Sequence, residues 1–315
     1  MFGSGKGRRS RIALAVGVVA VGASVALAGC SSGSPLDTGG DGKTSAGADG
    51  STLVVGSQSY YSNEIIAEIY AQALEANGFE VKRSFNIGQR EAYVPSIENG
   101  DIDVFPEYTG DLLQFYDKDT TARSEDDVYS ALTKALPDGL RALDAADASD
   151  QNSYVVTKKF ATDNDLKSLA DLAKVSTPLT LGGNAELKTR PYGPDGLKST
   201  YDVTVGFAEI DDSGGSTTVD ALSSNQIQLA NVYTADPNIK KNDLVALDDP
   251  KNLFLASHVV PIVSKKVNEK AVGVINSVQG ALSASDLVDL NDQSVNGQKQ
   301  PDAIAKAWLA DKKLF

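Results

Sequence analysis

One cysteine and one histidine, Cys30 and His258, are all that this 315-residue chain has of either type. A single cysteine cannot close an internal disulfide, so stability has to come from the core. Metal centres built from several histidines, or from histidine and cysteine together, are excluded. No G-x-S-x-G elbow is present, so a serine hydrolase lacks its usual mark. The glycines of Gly182-Gly183 and Ser213-Gly214-Gly215 form no phosphate-binding motif. Asp211-Asp212 and Asp248-Asp249 read as turn residues, because carboxylate hydrolysis needs a pairing in space that adjacency does not supply. Positive charge is also scarce: 29 Lys and Arg stand against 42 Asp and Glu, a net charge of -13. Such a surface repels phosphates and argues against a nucleic-acid partner. The expectation is a protein with no catalytic residues, no cofactor and no metal site.

The scarce positive charge is concentrated where it is informative. Lys6, Arg8, Arg9 and Arg11 precede an apolar run from Ile12 to Ala28, which ends in Leu27-Ala28-Gly29-Cys30. A basic start, an apolar stretch and small residues before a cleavage point mark a secretory signal. The run is borderline in length for a membrane helix, and the placement of Cys30 decides between the two. Leu-Ala-Gly-Cys resembles the bacterial lipobox, which implies a diacylglyceryl group on the Cys30 sulfur and cleavage just before it. Residues 1–29 are then a lipoprotein signal peptide. Residues 30–51, rich in Gly, Ser, Thr and Asp, are a flexible tether that cannot bury enough to order itself. Two or more acyl chains hold such a protein durably at the outer face of the cell membrane. An acylated Cys30 also leaves no thiol for a Cys–His dyad. Without the four positive charges of the signal, the net charge of -13 becomes -17 for residues 30–315.

Beyond the tether, strand and helix patterns alternate. Apolar runs predict strands at Thr52–Val55, Glu80–Phe85, Ile102–Val104, Tyr154–Thr157, Leu179–Leu181, Val203–Ile210, Leu229–Val232 and Pro261–Val263. Helical spacing of Ile65, Ile66, Ile69 and Leu74 predicts a helix over Asn63–Ala76, with Gly78 beyond its end. Further helices are expected at Asp126–Ala135, Leu166–Lys174 (with Asp165 as N-cap), near Thr217–Ser223, and at Val267–Leu282 and Pro301–Ala310. The alternation means an α/β architecture. Roughly 285 residues after the signal suffice for a large core or two lobes.

The stretch Asn99-Gly100-Asp101-Ile102-Asp103-Val104-Phe105-Pro106-Glu107-Tyr108-Thr109-Gly110 resembles the NGDIDxxPEYTG signature of ABC-type glycine betaine/choline-binding proteins, the osmoprotectant ProX-like family. Weaker matches stand in order around it: Val55-Gly56-Ser57, Asn63-Glu64-Ile65-Ile66, Asn152-Ser153-Tyr154, Leu169–Ala173, Arg190-Pro191 with Pro194-Asp195-Gly196-Leu197, Asp212-Ser213 and Tyr233-Thr234-x-Asp236. The resemblance spans nearly all of 52–315. It implies a two-lobe periplasmic-binding-protein fold (type II) with two crossover segments. Lobe one would be 52–148 plus 257–315, and lobe two 149–256. It also implies an extracytoplasmic binding component of an ABC importer, with a permease and an ATPase as partners and a quaternary-ammonium solute of the choline or glycine betaine type as ligand. The alternatives are the same fold holding a different, for example aromatic, solute, and a surface sensor.

A quaternary ammonium has no N–H to donate, so aromatic faces hold it, each contributing about 0.5–2 kcal/mol. By resemblance the rings are Tyr108, Tyr154 and Tyr233, and Arg190 would bind a carboxylate. Gln58 stands where betaine binders of the family have Lys, and Asp111 where they have Thr. These two changes point toward a choline-like cation without a carboxylate, while Arg190 points the other way. Asp111 also reads as a helix N-cap. Ser257-His258-Val259-Val260-Pro261 stands in place of a Tyr-Tyr-x-x-Pro pattern, so one aromatic wall is replaced, with His258 as the candidate substitute ring. Tyr60, Tyr61 and Tyr192 are further aromatic candidates.

Overall fold

The computed structural model describes residues 52–315. The expected signal peptide 1–29, the tether 30–51 and Cys30 lie outside the described residues. The first stretch of chain builds β1 (Leu53–Gly56), α1 (Tyr61–Ala76), β2 (Val81–Ser84), α2 (Arg90–Glu98), β3 (Val104–Tyr108), α3 (Thr109–Tyr116), α4 (Glu125–Ala135) and β4 (Leu140–Ala142). The second builds β5 (Asn152–Thr157), α5 (Lys158–Asp163), β6 (Leu179–Gly183), α6 (Pro194–Tyr201), β7 (Val205–Glu209), α7 (Ser216–Ser223), β8 (Leu229–Tyr233), α8 (Asn238–Lys241) and β9 (Leu244–Ala246). The last comprises β10 (Val259–Ser264), α9 (Glu269–Ala281), α10 (Ala284–Val295) and α11 (Pro301–Lys312).

The strands form two five-stranded sheets, ordered β2-β1-β3-β10-β4 and β7-β6-β8-β5-β9. The two sheets share one plan. In the first, β1 runs parallel to β2 and β3, and β10 is antiparallel to β3 and β4. In the second, β6 runs parallel to β7 and β8, and β5 is antiparallel to β8 and β9. Helices flank each sheet, giving an α/β two-lobe architecture. Just before β5 and β10, Ser149 and His258 pair as an isolated antiparallel bridge.

Burial explains the elements. The Ile65, Ile66, Ile69 and Leu74 stripe of α1 is wholly buried and meets Ile304, Ala305, Trp308 and Leu309 of α11 in one core. All six residues of β10 are buried, as expected for a central strand covered on both faces. A separate core in the second lobe gathers Leu169, Leu181, Leu197 and Leu229. Three local expectations change. Asp165 is no N-cap: it adopts a left-handed turn conformation at φ 49°. The helix there is a 3-10 turn over Leu169–Lys174, preceded by Ser168, whose amide and hydroxyl both donate to Asp171. Nor does Asp111 cap α3. Tyr108 is the cap residue, and Asp111 lies in the first turn, where its charge suits the helix dipole. Finally, α2 has no counterpart in the sequence pattern, because Pro95 sits inside it and proline normally ends a helix.

Candidate functional site

The PEYTG segment is where strand becomes helix. β3 ends at Tyr108 and α3 begins at Thr109. Glu107, fully buried, accepts two hydrogen bonds from Arg90 (3.0 and 2.7 Å), one from the Tyr93 hydroxyl (2.5 Å) and one from the Tyr108 amide (2.8 Å). A carboxylate with four donors is a fixed post, and it orients the start of α3. Gly110 then lets the helix approach the segment before β10: a Cβ there would stand 2.5 Å from the Ala256 carbonyl oxygen. That contact admits no side chain.

Four tyrosines and two carboxylates gather beside this post. Tyr60, buried at the head of α1, has its ring 4.7 Å from both Tyr61 and Tyr233. Its hydroxyl donates to Asp150 at 2.9 Å, and the Tyr61 hydroxyl donates to Asp236 at 2.9 Å. Tyr108 is buried, and its hydroxyl and that of Ser62 have no hydrogen-bond partner. Asp150 and Tyr233 lie within electrostatic reach of the Tyr108 hydroxyl. Burial pushes the Asp150 carboxyl up to about 7, while the Ala235 amide and the Tyr60 hydroxyl pull it down. Burial likewise raises Asp236 above the usual carboxylate range.

Alongside lies a gap of about 20 Å³, bordered by Arg90 and Gln89 from the first lobe and by Asn152, Arg190, Tyr192, Asn231 and Tyr233 among others from the second. Arg190 grips Glu91 of α2 through two hydrogen bonds, 2.7 and 3.0 Å. Asp111 accepts from Asn152 at 2.6 Å and from the Ser257 hydroxyl at 2.8 Å. Asn152 in turn accepts from Asn231 at 3.1 Å. Burial raises the Asp111 carboxyl above its usual range, with Arg90 and Ser257 opposing.

The candidates named from the sequence therefore separate. Tyr108, Tyr233, Asp111 and Arg190 converge around the tyrosine cluster and the adjoining gap. Gln58 is buried in the opening loop, where its backbone N–H donates to Asn63 Oδ1 at 3.0 Å, and the Asn63 side-chain NH2 donates to the Pro106 carbonyl at 2.7 Å. That pair ties the loop to the PEYTG strand. Tyr154 is wholly buried in the second lobe's core, its hydroxyl donating to the Tyr192 carbonyl and its ring edge-on to Phe254 at 5.0 Å. His258 faces a different cavity, of about 320 Å³, bordered by Thr109, Glu125, Asp126, Asp144 and Asp147. Its Nδ1 is 2.9 Å from the Ala146 carbonyl and its Nε2 is 3.1 Å from Glu125. Sequence reading passes over Arg90, Asn152 and Asp150 as site residues. Asn152 is visible as part of the N-x-Y match, but nothing local distinguishes Arg90 or Asp150 from surface charges.

Chemically, the arrangement has two ends. Aromatic faces backed by buried carboxylates attract a cation. Guanidinium groups attract a carboxylate or another planar anion. Among the described residues no group of three or more His, Cys, Asp or Glu is placed to hold a metal ion.

The family model described as the substrate binding domain of ABC-type glycine betaine transport system matches residues 51–311. The ergothioneine transport permease/ergothioneine binding protein EgtU of Helicobacter pylori is 24% identical over 263 residues, 82% of this chain and 47% of that protein. This chain thus spans about half the length of that relative. The carnitine transport binding protein OpuCC of Listeria monocytogenes is 23% identical over 277 residues, 85% of this chain and 89% of that protein. Among solved structures, a glycine betaine/carnitine/choline ABC transporter protein shares the fold with a TM-score of 0.68 at 21% identity, covering 83% of this chain and 99% of that one.

Proposed function

The chain belongs to the family of substrate-binding domains of ABC-type glycine betaine transport systems, and from that premise we propose that it is the extracytoplasmic component of an ABC importer that captures a quaternary-ammonium solute between its lobes. The observation that carries the reading is the juxtaposition of Tyr60, Tyr61, Tyr108 and Tyr233, with Asp150 and Asp236 behind them. Rings hold a cation without needing a donor from it. The partners are a permease and an ATPase, and closure of the lobes is the signal they read. Members of the family bind solutes rather than transform them, so no catalytic step is assigned.

Within the solute class, the site favours a carboxylate-bearing compound over choline. Arg190 borders the gap and is paired there with the half-exposed Glu91, whereas both oxygens of Asp111, whose charge suggested choline, are engaged by the buried Asn152 and Ser257. The names of the relatives fit this: carnitine and ergothioneine are the solutes named for the Listeria and Helicobacter proteins.

The finer architecture is part of the proposal. The fold is a type II arrangement in which 52–148 plus 257–315 form lobe one and 149–256 form lobe two. The segments meeting at Ser149 and His258 serve as its two crossovers, a reading supported by their backbone bridge. Cys30 carries the lipid anchor at the outer face of the cell membrane. Cys30→Ala should abolish acyl labelling, and a labelled, normally cleaved variant would remove the anchor from the proposal.

Calorimetry with glycine betaine, carnitine, ergothioneine and choline tests the function, with mass spectrometry of the recovered solute. Stoichiometric binding of at least one quaternary ammonium, recovered intact, is expected. A protein that binds none of the four, or that converts one over many turnovers, does not have this function.

A further inference from the structure

Asp150 occupies a position that the capture of a cation does not by itself require. It lies between β4 and β5, and its two oxygens face different lobes. Oδ2 accepts from the hydroxyl of Tyr60, at the head of α1 beside the first sheet, at 2.9 Å. Oδ1 accepts from the backbone amide of Ala235, just past β8 of the second sheet, at 2.9 Å. The carboxylate is 1% exposed. A second link of the same kind stands next to it, where the Tyr61 hydroxyl donates to Asp236. Tyr60, whose hydroxyl Asp150 holds, is also the ring packed at a tilt against Tyr233. The groups facing Asp150 are therefore Tyr60 and Tyr61 from the start of α1, Tyr108 from the end of β3, and Tyr233 and Asp236 from the end of β8 and beyond. All of these are neutral or acidic. The two arginines of the neighbouring gap are committed to their own carboxylates, Arg90 to Glu107 and Arg190 to Glu91.

Resting on the solute reading above, we propose that Asp150 is a positioning residue that joins the lobes in its ionised form and couples cation capture to the release of one proton. Both of its hydrogen bonds are accepted, one from each lobe, and the charged carboxylate is the form that accepts both strongly. A buried carboxylate with no cation beside it is costly to ionise, and burial here moves the group up to about 7. A quaternary ammonium against the faces of Tyr60, Tyr108 and Tyr233 supplies the missing positive charge. Ionisation then becomes favourable, the proton leaves the carboxyl group for solvent, and Asp150 holds Tyr60 to Ala235 across the lobes. The same solute that occupies the rings thereby strengthens the link that closes them. By reciprocity, acid weakens capture.

The test uses choline and glycine betaine, neither of which titrates near neutrality. Calorimetry in two buffers of different ionisation enthalpy counts protons released on binding. For a group at about 7 in the free protein, the wild type should release more than half a proton per solute at about pH 6.5 and almost none above about pH 8.5. Its affinity should fall about thirtyfold between about pH 8 and pH 5.5. Asp150→Asn keeps an acceptor for Ala235 and a polar group for Tyr60. It should release no proton and show an affinity that is flat with pH. Tyr60→Phe keeps the ring but removes a hydrogen bond that lowers the Asp150 pKa, so its profile should shift to higher pH. Binding with no proton release and a flat wild-type profile overturns the inference while leaving the proposed function standing. Proton release that survives in Asp150→Asn assigns the coupling to another group and also overturns it. If neither solute binds at any pH, the solute reading fails and this inference falls with it.

Discussion

Arg190 and Glu91 meet across the two lobes through a two-pronged ion pair, the guanidinium of one donating to both oxygens of the other at 2.7 and 3.0 Å. The arginine is mostly covered and the glutamate half exposed, and in the proposed function a solute carboxylate takes the place of Glu91 on the guanidinium. Planar, bidentate recognition is what distinguishes Arg from Lys in such an exchange. Arg190→Ala should therefore weaken carboxylate-bearing solutes about 10- to 100-fold, the equivalent of about 1.5–3 kcal/mol for a charge-assisted hydrogen bond. Choline should change by less than about fivefold, since it brings no carboxylate for the arginine and a single ion pair with a half-exposed partner contributes ~1 kcal/mol or less. Calorimetry with both solutes gives the comparison, and an equal loss for the two would show that Arg190 acts only through lobe contact.

Asp111, proposed from the sequence as a charge favouring choline, is held between two hydrogen-bond donors. Its carboxylate links α3 to Asn152 and Ser257, so it works as a strut between the lobes. Asp111→Thr should weaken choline and glycine betaine alike, by about five- to tenfold for the loss of roughly 1 kcal/mol of hydrogen bonding. The ratio of the two affinities should stay within about twofold. A ratio that moves strongly toward glycine betaine would restore Asp111 as a discriminating charge.

The Arg90–Glu107 pair is buried at both ends, with the arginine side chain 9% and the glutamate side chain 1% exposed. Removing one partner leaves the other charge buried without compensation, which costs about 3–5 kcal/mol. Arg90→Met should lower unfolding stability by that amount in urea melts. Glu107→Gln should do nearly the same, because Arg90, Tyr93 and the Tyr108 amide all donate to Glu107. A loss below about 1 kcal/mol for both would mean that solvent reaches the pair.

Stability should also carry the mark of Asp150. Its carboxyl in the folded, solute-free protein is raised from 3.8 to about 7. Between these values the folded protein holds a proton that the unfolded chain has released. The resulting contribution is fully present below about pH 4 and is lost as pH rises through about 7. From about pH 5 to pH 8 the wild type should lose roughly 2.5 kcal/mol relative to Asp150→Asn, because each pH unit between about 5 and 7 corresponds to ~1.4 kcal/mol. Urea melts of both proteins at the two pH values check the difference, and parallel behaviour of the pair would show that Asp150 stays ionised throughout.

The strands and helices with a strong apolar period were legible in the chain. The α1 stripe, the β5, β6 and β8 strands and α11 all fall where their spacing places them. The PEYTG stretch was legible as well, because a short motif keeps its residues adjacent. What escaped was the regular helix α10, and elements that are irregular or distant. Pro95 hid α2, and β3 runs through Pro106 to Tyr108, well past the apolar triplet that marked it.

The sequence by itself determined which faces are apolar, that the architecture alternates strand and helix, and that aromatic rings stand at the ends of β3 and β8. A periodic pattern says which side of an element is buried, but not which other element buries it. Only the tertiary structure decided that Asp111 meets Asn152, 41 residues away, and that Asp150 meets Tyr60, 90 residues away. It also decided that the Tyr154 hydroxyl is held at the Tyr192 carbonyl and that His258 faces acidic side chains rather than the tyrosines. The physical reason is that a charge or hydroxyl takes its role from its partner. Burial raises or lowers its cost according to what lies opposite, and the opposite group comes from a distant part of the chain, for Asp111 and Asp150 from the other lobe.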